Sequence, residues 1–135
     1  MVTLFTLILI ATNVTNAGAQ ERRAYRLIQV AELSLRKAAT RIVMPEFPES
    51  AKKRGVKGLA VVEIEFDENG AVSKAVVLES PDRVIAEAVS HAVGQWKFQR
   101  QTLGGQPVHI RGKLTFYYVI DADGGGHVEN PRQAR

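Results

Sequence analysis

The sequence predicts an α+β fold: a three-stranded antiparallel sheet in the order 2-1-3, with a short and a long helix on one face. Three observations predict it. Two alternating runs flank the turn sequence Asp67-Glu68-Asn69-Gly70, a helical apolar stripe covers Val84 to Trp96, and a long alternation runs from Val108 to Ile120.

The first strand opens at Gly58 and puts Ala60, Val62, Ile64 and Phe66 on one face, with Glu63 and Glu65 on the other. Asn69-Gly70 supplies the positive-φ positions of a hairpin turn. The second strand returns from about Val72 to Glu79 with Val72, Val76 and Leu78 inward. Ser80 is placed to cap the next helix, with Pro81 in its first position. That helix aligns Val84, Ile85, Ala88, Val89, Ala92, Val93 and Trp96 on one stripe, while His91 lies off it, four residues after Glu87, as an exposed ion-pair partner. The third strand carries Val108, Ile110, Leu114, Phe116, Tyr118 and Ile120 on one face and His109, Arg111, Lys113, Thr115 and Tyr117 on the other. Gly112 interrupts its apolar face and marks a bulge or close packing under a helix. One helix between the second and third strands reverses the chain once, so the third strand lies antiparallel beside the first. It is then a long edge, guarded by Arg111 and Lys113, and such an edge is a liability or a receiver of another chain, a second copy included.

Upstream, Pro45-Glu46-Phe47-Pro48 precedes a short helix with Glu49 near its start, Lys52 to Arg54 near its end and Gly55 as terminator. Residues 20–44 lack Pro and Gly, and Ala24, Ile28, Ala31, Leu35, Ala38 and Ile42 recur in steps of four and three, an amphipathic helical seam. Residues 1–19 carry no charge. Leu4 to Ala11 has the length of a signal-peptide apolar region, and Ala17-Gly18-Ala19 supplies a small-x-small cleavage site. The chain thus divides into a signal peptide (1–19), an amphipathic segment (20–44), a domain (45–120) and a disordered tail (121–135) containing Gly124-Gly125-Gly126.

Composition narrows function by exclusion. The 135 residues are 45% hydrophobic and 24% charged, which fits one globular domain and neither a disordered chain nor a polytopic membrane protein. A net charge of +4 comes from basic residues interleaved with acids, a poor nucleic-acid footprint. The absence of Cys removes thiolate nucleophiles and thiolate-ligated metals. Asp121 and Asp123 begin like a calcium loop, but Arg132 stands where a bidentate Glu is required. Ser50-x-x-Lys53 has the spacing of a serine acyl-enzyme, yet the chain has neither an S-D-N nor a K-T-G partner for it, so a small serine hydrolase is a remote alternative and no enzyme or cofactor is expected.

Pro45-x-Phe47-Pro48-x-x-Ala51, Gly55-x-x-Gly58 leading into Val62-x-Ile64-x-Phe66, Asn69-Gly70-x-Val72, Trp96-Lys97-Phe98 and Gly105-Gln106-Pro107-Val108 fall in one order over about Ile42 to Ile120. In that order and spacing they resemble the C-terminal domain family of TonB, the energy transducer of the Gram-negative envelope. Phe47 stands where the family carries Tyr, and Arg100 where it commonly carries Pro. The resemblance implies a protein partner: the third strand pairs with the TonB box of an outer-membrane receptor, and the Pro-aromatic-Pro segment contacts the same partner. Carried over by position, the partner-binding residues are Pro45, Phe47, Pro48, Ile110, Arg111, Lys113, Leu114, Thr115, Phe116, Tyr117 and Tyr118, while Trp96 and Phe98 belong to the core. All five prolines lie at or after Pro45, and residues 20–44 reach only roughly 80 Å fully extended. The expected protein is therefore a short periplasmic binding module linked to transport across the outer membrane. The alternative is a membrane-anchored transducer that keeps its N-terminal run uncleaved and meets inner-membrane motor proteins.

Overall fold

The computed structural model describes residues 25–131. The expected signal peptide and its cleavage site lie outside the described residues. In chain order the elements are β1 (Arg26–Gln29), α1 (Glu32–Ala38), β2 (Ala39–Arg41), α2 (Glu49–Lys53), β3 (Gly58–Phe66), β4 (Val72–Glu79), α3 (Arg83–Val93), β5 (Lys97–Phe98), β6 (Thr102–Leu103), β7 (Gln106–Ile120) and β8 (Gly126–Glu129).

The predicted 2-1-3 sheet is present as β4-β3-β7, with β3 antiparallel to both neighbours. The sheet is larger than predicted. It has six strands, because β1 adds in parallel to β7, and β6 and β8 pair with its two ends. A second, two-stranded sheet joins β2 to β5.

The apolar face of β3 and β7 forms the core. Ala60, Val62, Ile64 and Phe66 meet Val108, Ile110, Leu114, Phe116 and Tyr118, closed over by Leu35 of α1, Ala51 of α2 and Ile85, Val89 and Val93 of α3. Trp96 is fully buried, its ring edge-on to Phe116 at 6.2 Å, and Phe66 stacks on Phe98 at 4.3 Å. Truncating an aromatic of this kind to Ala costs on the order of 3–5 kcal/mol. Gly112 continues the β3–β7 register without a bulge, opposite Ile64. A Cβ there would meet Leu35 Cδ2 at 3.0 Å, so its role is close packing beneath α1. The α2 terminus is as predicted: Gly55, at φ 68°, donates to Lys52 O while Val56 donates to Ala51 O at 3.0 Å.

Several expectations are corrected. Among the described residues of the 20–44 seam only Glu32–Ala38 is helical; Ile28 instead pairs with Ile110, because pairing with β7 satisfies its backbone and seats its side chain against the core, where a short surface helix is marginal. Within the tail expected to be disordered, the described residues 121–131 form a turn and β8, where Gly126 packs without a Cβ against Phe47. On β4, Val76 and Leu78 are exposed and Ala75 and Val77 turn inward. The cause is a register shift between Glu65 and Phe66, which inserts Ser73 and flips the alternation. The hairpin uses one positive-φ residue, Gly70 at 78°, after a turn in which Asp67 Oδ1 accepts from Asn69 N and Ala71 N. Asp82, not Ser80, is the N-cap of α3, accepting from Arg83 N. Glu87 pairs with Arg83 at 3.1 Å, and His91 faces Gln95 instead.

Candidate functional site: the outer edge of β7

In an antiparallel pair, backbone N–H and C=O groups of alternate residues point to opposite sides of the strand. Thr115 shows which set points away from β3: both its backbone groups bond to α1. Its N–H donates to Glu32 Oε1 at 2.9 Å, its hydroxyl donates to Glu32 Oε2 at 3.0 Å, and its carbonyl accepts from Arg36 Nη2 at 2.8 Å. Leu114 and Phe116 therefore direct their backbone groups to β3.

This edge is not open as the sequence led one to expect. β1 covers Val108 to Arg111 and extends one bond further through Val30 N to Arg111 O at 2.9 Å. β8 covers Tyr117 to Ile120. Between them the Glu32–Arg36 ion pair, 2.7 Å apart, occupies Thr115. Arg36 also donates to Asn130 Oδ1 at 2.9 Å and lies over the Phe116 ring at 5.5 Å, so one guanidinium ties α1, β7 and the chain beyond β8 together. Side chains that cap a strand edge protect it from unplanned pairing.

The predicted site residues separate into two groups. Ile110, Leu114, Phe116 and Tyr118 are buried under the helices, and their backbone groups belong to the set that faces β3. Lys113 and Tyr117 are exposed on the helix-free face, where Arg111 reaches Glu65 Oε2 at 3.3 Å and Glu63 Oε1 at 4.0 Å. On the same face His109 stacks on Tyr25 with ring centroids 3.6 Å apart and reaches Glu68 at 3.1 Å. Pro45 is buried, Pro48 is the N-cap residue of α2, and Phe47 is half-buried.

Phe47 and β7 do come together. Its ring meets Tyr118 edge-on at 5.1 Å, Lys52 Nζ lies 5.8 Å from its face, and Tyr118 Oη donates to Glu46 O at 3.2 Å. Burial pushes the Tyr118 phenol well above its ordinary value, so it stays a neutral donor. A cleft of about 330 Å³ lies on the far side of this segment, between Val43, Met44 and Glu46 and the His91 and Ala92 turn of α3.

Glu32, Arg36 and Asn130 are the residues that sequence reasoning misses. Glu32 and Arg36 were visible as an i,i+4 helix pair, but nothing in their spacing points to Thr115, 79 to 83 residues away. Among the described residues no cluster of three His, Asp or Glu side chains could hold a metal ion, and no helix is long and apolar enough to cross a membrane.

Residues 43–120 match the family profile described as Gram-negative bacterial TonB protein C-terminal. The chain is 36% identical over 80 residues to protein TonB of Vibrio cholerae, covering 58% of this chain and 33% of that one. It is 30% identical over 78 residues to protein TonB of Pseudomonas aeruginosa, covering 57% and 23%. The match thus spans a third or less of the length of these relatives. A solution NMR structure of the Pseudomonas aeruginosa TonB C-terminal domain superposes with a TM-score of 0.53 at 28% identity, covering 62% of this chain and 85% of the other.

Proposed function

The chain belongs to the Gram-negative TonB C-terminal family, and from that premise we propose that it is a periplasmic binding module that engages an extended segment of an outer-membrane receptor by strand addition to β7, in support of transport across the outer membrane. The observation that carries this reading is the outward pair of backbone groups on Thr115, held by side chains and not by a continuous strand. Backbone pairing gives affinity with little demand on side-chain identity. The buried side chains of Leu114 and Phe116 leave the strand rigid beneath the docking edge. Phe47, at the C-terminal end of the same edge, supplies an aromatic contact for the incoming segment. The apolar run Leu4 to Ala11 and the Ala17-Gly18-Ala19 motif support export.

The test is titration calorimetry with a synthetic peptide copying the TonB box of an outer-membrane receptor from the same genome. Thr115→Pro removes an outward donor and should fold and lose binding. Tyr117→Ala, an exposed side chain, should retain binding within about threefold. Binding lost in Tyr117→Ala and kept in Thr115→Pro makes recognition a matter of side chains and overturns strand addition.

A further inference from the structure

The Glu32–Arg36 pair does at Thr115 what a neighbouring strand does. A paired residue offers one carbonyl to accept an N–H and one N–H to donate to a C=O. Here a carboxylate accepts the Thr115 N–H at 2.9 Å and a guanidinium donates to the Thr115 C=O at 2.8 Å. Immediately before them, β1 satisfies the same edge with real backbone, in register from Arg26↔Val108 to Gln29↔Arg111. Residues 26–36 therefore present partners to β7 on both sides of Lys113, main chain up to Arg111 and side chains at Thr115.

We propose that residues 26–38 are an internal stand-in for the partner strand, and that a segment docking on β7 must first displace them. The inference rests on the strand-addition reading of β7 for its biological sense, but the displacement is a property of this chain alone.

The segment is built to come away. The pattern along β1 is exposed at Arg26, Leu27 and Gln29, and α1 buries only Leu35 fully. α1 has seven residues and no side-chain N-cap bond, a length at which an isolated helix is marginal in water. A firm anchor follows at once. Gln99 N donates to Ala38 O at 2.8 Å and β2 pairs with β5, so motion is confined to the chain up to the Ala38 carbonyl, which stays as the hinge point. An incoming strand restores both bonds at Thr115 as Glu32 and Arg36 leave, so the exchange strands no buried polar group at that residue. Opening of this segment uncovers Leu35 and the partly buried Ile28 and Val30, a cost that a docking strand with apolar side chains at the same positions offsets.

The test uses the full chain and a fluorescent peptide copying its own Tyr25–Ala38. Wild type should bind the peptide weakly. Glu32→Ala combined with Arg36→Ala should bind it at least tenfold more tightly and raise amide exchange at Thr115 at least tenfold, with Val62 and Ile64 unchanged. Because the chain has no cysteine, Leu27→Cys with His109→Cys, neighbours in the β1–β7 register, gives a unique disulfide lock. In the loosened background the oxidised lock should abolish peptide binding, and reductant should restore it. Should the double alanine variant unfold, Glu32→Gln, which keeps the side-chain shape, is read by the same exchange criterion. Unchanged Thr115 exchange, or equal peptide binding by locked and unlocked chains, overturns the proposal. A receptor peptide that fails to bind the loosened chain, when the chain's own segment binds it, refutes the receptor reading and leaves the stand-in in place.

Discussion

Trp96 Nε1 donates to the Val43 carbonyl oxygen at 2.8 Å, 53 residues back along the chain, and so anchors the extended Val43–Pro48 segment on the core. Tyr118 Oη holds the same segment three residues on, at Glu46 O. Two buried aromatics thus use their single polar atoms to position Phe47, a residue that neither of them neighbours in sequence.

Trp96→Phe keeps most of the buried ring and removes the donor. The unpaired Val43 carbonyl costs about 1–3 kcal/mol. Urea denaturation should show a loss of about 2 kcal/mol. A variant as stable as wild type would show that Pro45 burial and the Tyr118 bond to Glu46 O hold the segment without the Trp96 donor.

Gly70 sits at φ 78° with its carbonyl accepting from Phe98 N at 2.9 Å, and a Cβ on it would lie 2.0 Å from Phe98 O. Gly70→Ala therefore combines a left-handed backbone, costing about 1–2 kcal/mol, with a collision against main chain that no rotamer relieves. The expected loss exceeds about 3 kcal/mol, measured by thermal unfolding, with Gly104→Ala as the control. Gly104 has a similar φ of 59° but nothing within 4 Å, so only the backbone cost applies there.

The contrast between β7 and the flanking segments shows what sequence reveals. Strict alternation over Val108–Ile120 and the stripe on α3 identified the core because burial on one face leaves a period in the sequence. The cover on the β7 edge left no period. β1 contributes backbone, which is independent of residue type, and the contacts of Glu32, Arg36 and Asn130 connect residues far apart in the chain. Gly124-Gly125-Gly126 reads as disorder by composition, although Gly126 is required where Phe47 leaves no room for a Cβ. The Val76 and Leu78 assignment failed for a local reason, since a one-residue bulge on a strand inverts every later position.

His127 gives β8 a pH dependence. Its Nε2 lies 2.9 Å from Glu129 Oε1 and its Nδ1 3.3 Å from Asp121, and these two carboxylates raise its pKa above the ordinary 6.5. The folded strand therefore binds the proton more tightly than the unfolded chain. Its contribution is fully present below the unfolded pKa and is lost as pH rises through the higher folded value. Amides of Gly126–Glu129, corrected for intrinsic exchange, should lose protection as pH rises through the His127 titration followed by NMR. His127→Gln should remove that dependence. A titration midpoint at or below 6.5 would break the link.

The contact of Gly126 with Phe47 can be isolated by a double-mutant cycle. A Cβ at Gly126 would lie 2.8 Å from Phe47 Cδ2 and 3.2 Å from Lys52 Cγ. Gly126→Val must therefore displace either the Phe47 ring, losing its edge-on contact with Tyr118, or β8 itself, uncovering Tyr117–Ile120. Phe47→Ala removes the ring and costs stability of its own, but it also empties the space that the valine needs. The two losses should be less than additive, with a coupling of about 1–2 kcal/mol, as expected for residues in direct contact. Protection of the β8 amides decides which way the single variant yields. If they exchange freely in Gly126→Val and recover in the double variant, the Phe47 ring is the stiffer wall and β8 is the element that moves. Strict additivity would mean that the two residues do not compete for the same space, and that Phe47 is held by Tyr118 and Lys52 alone.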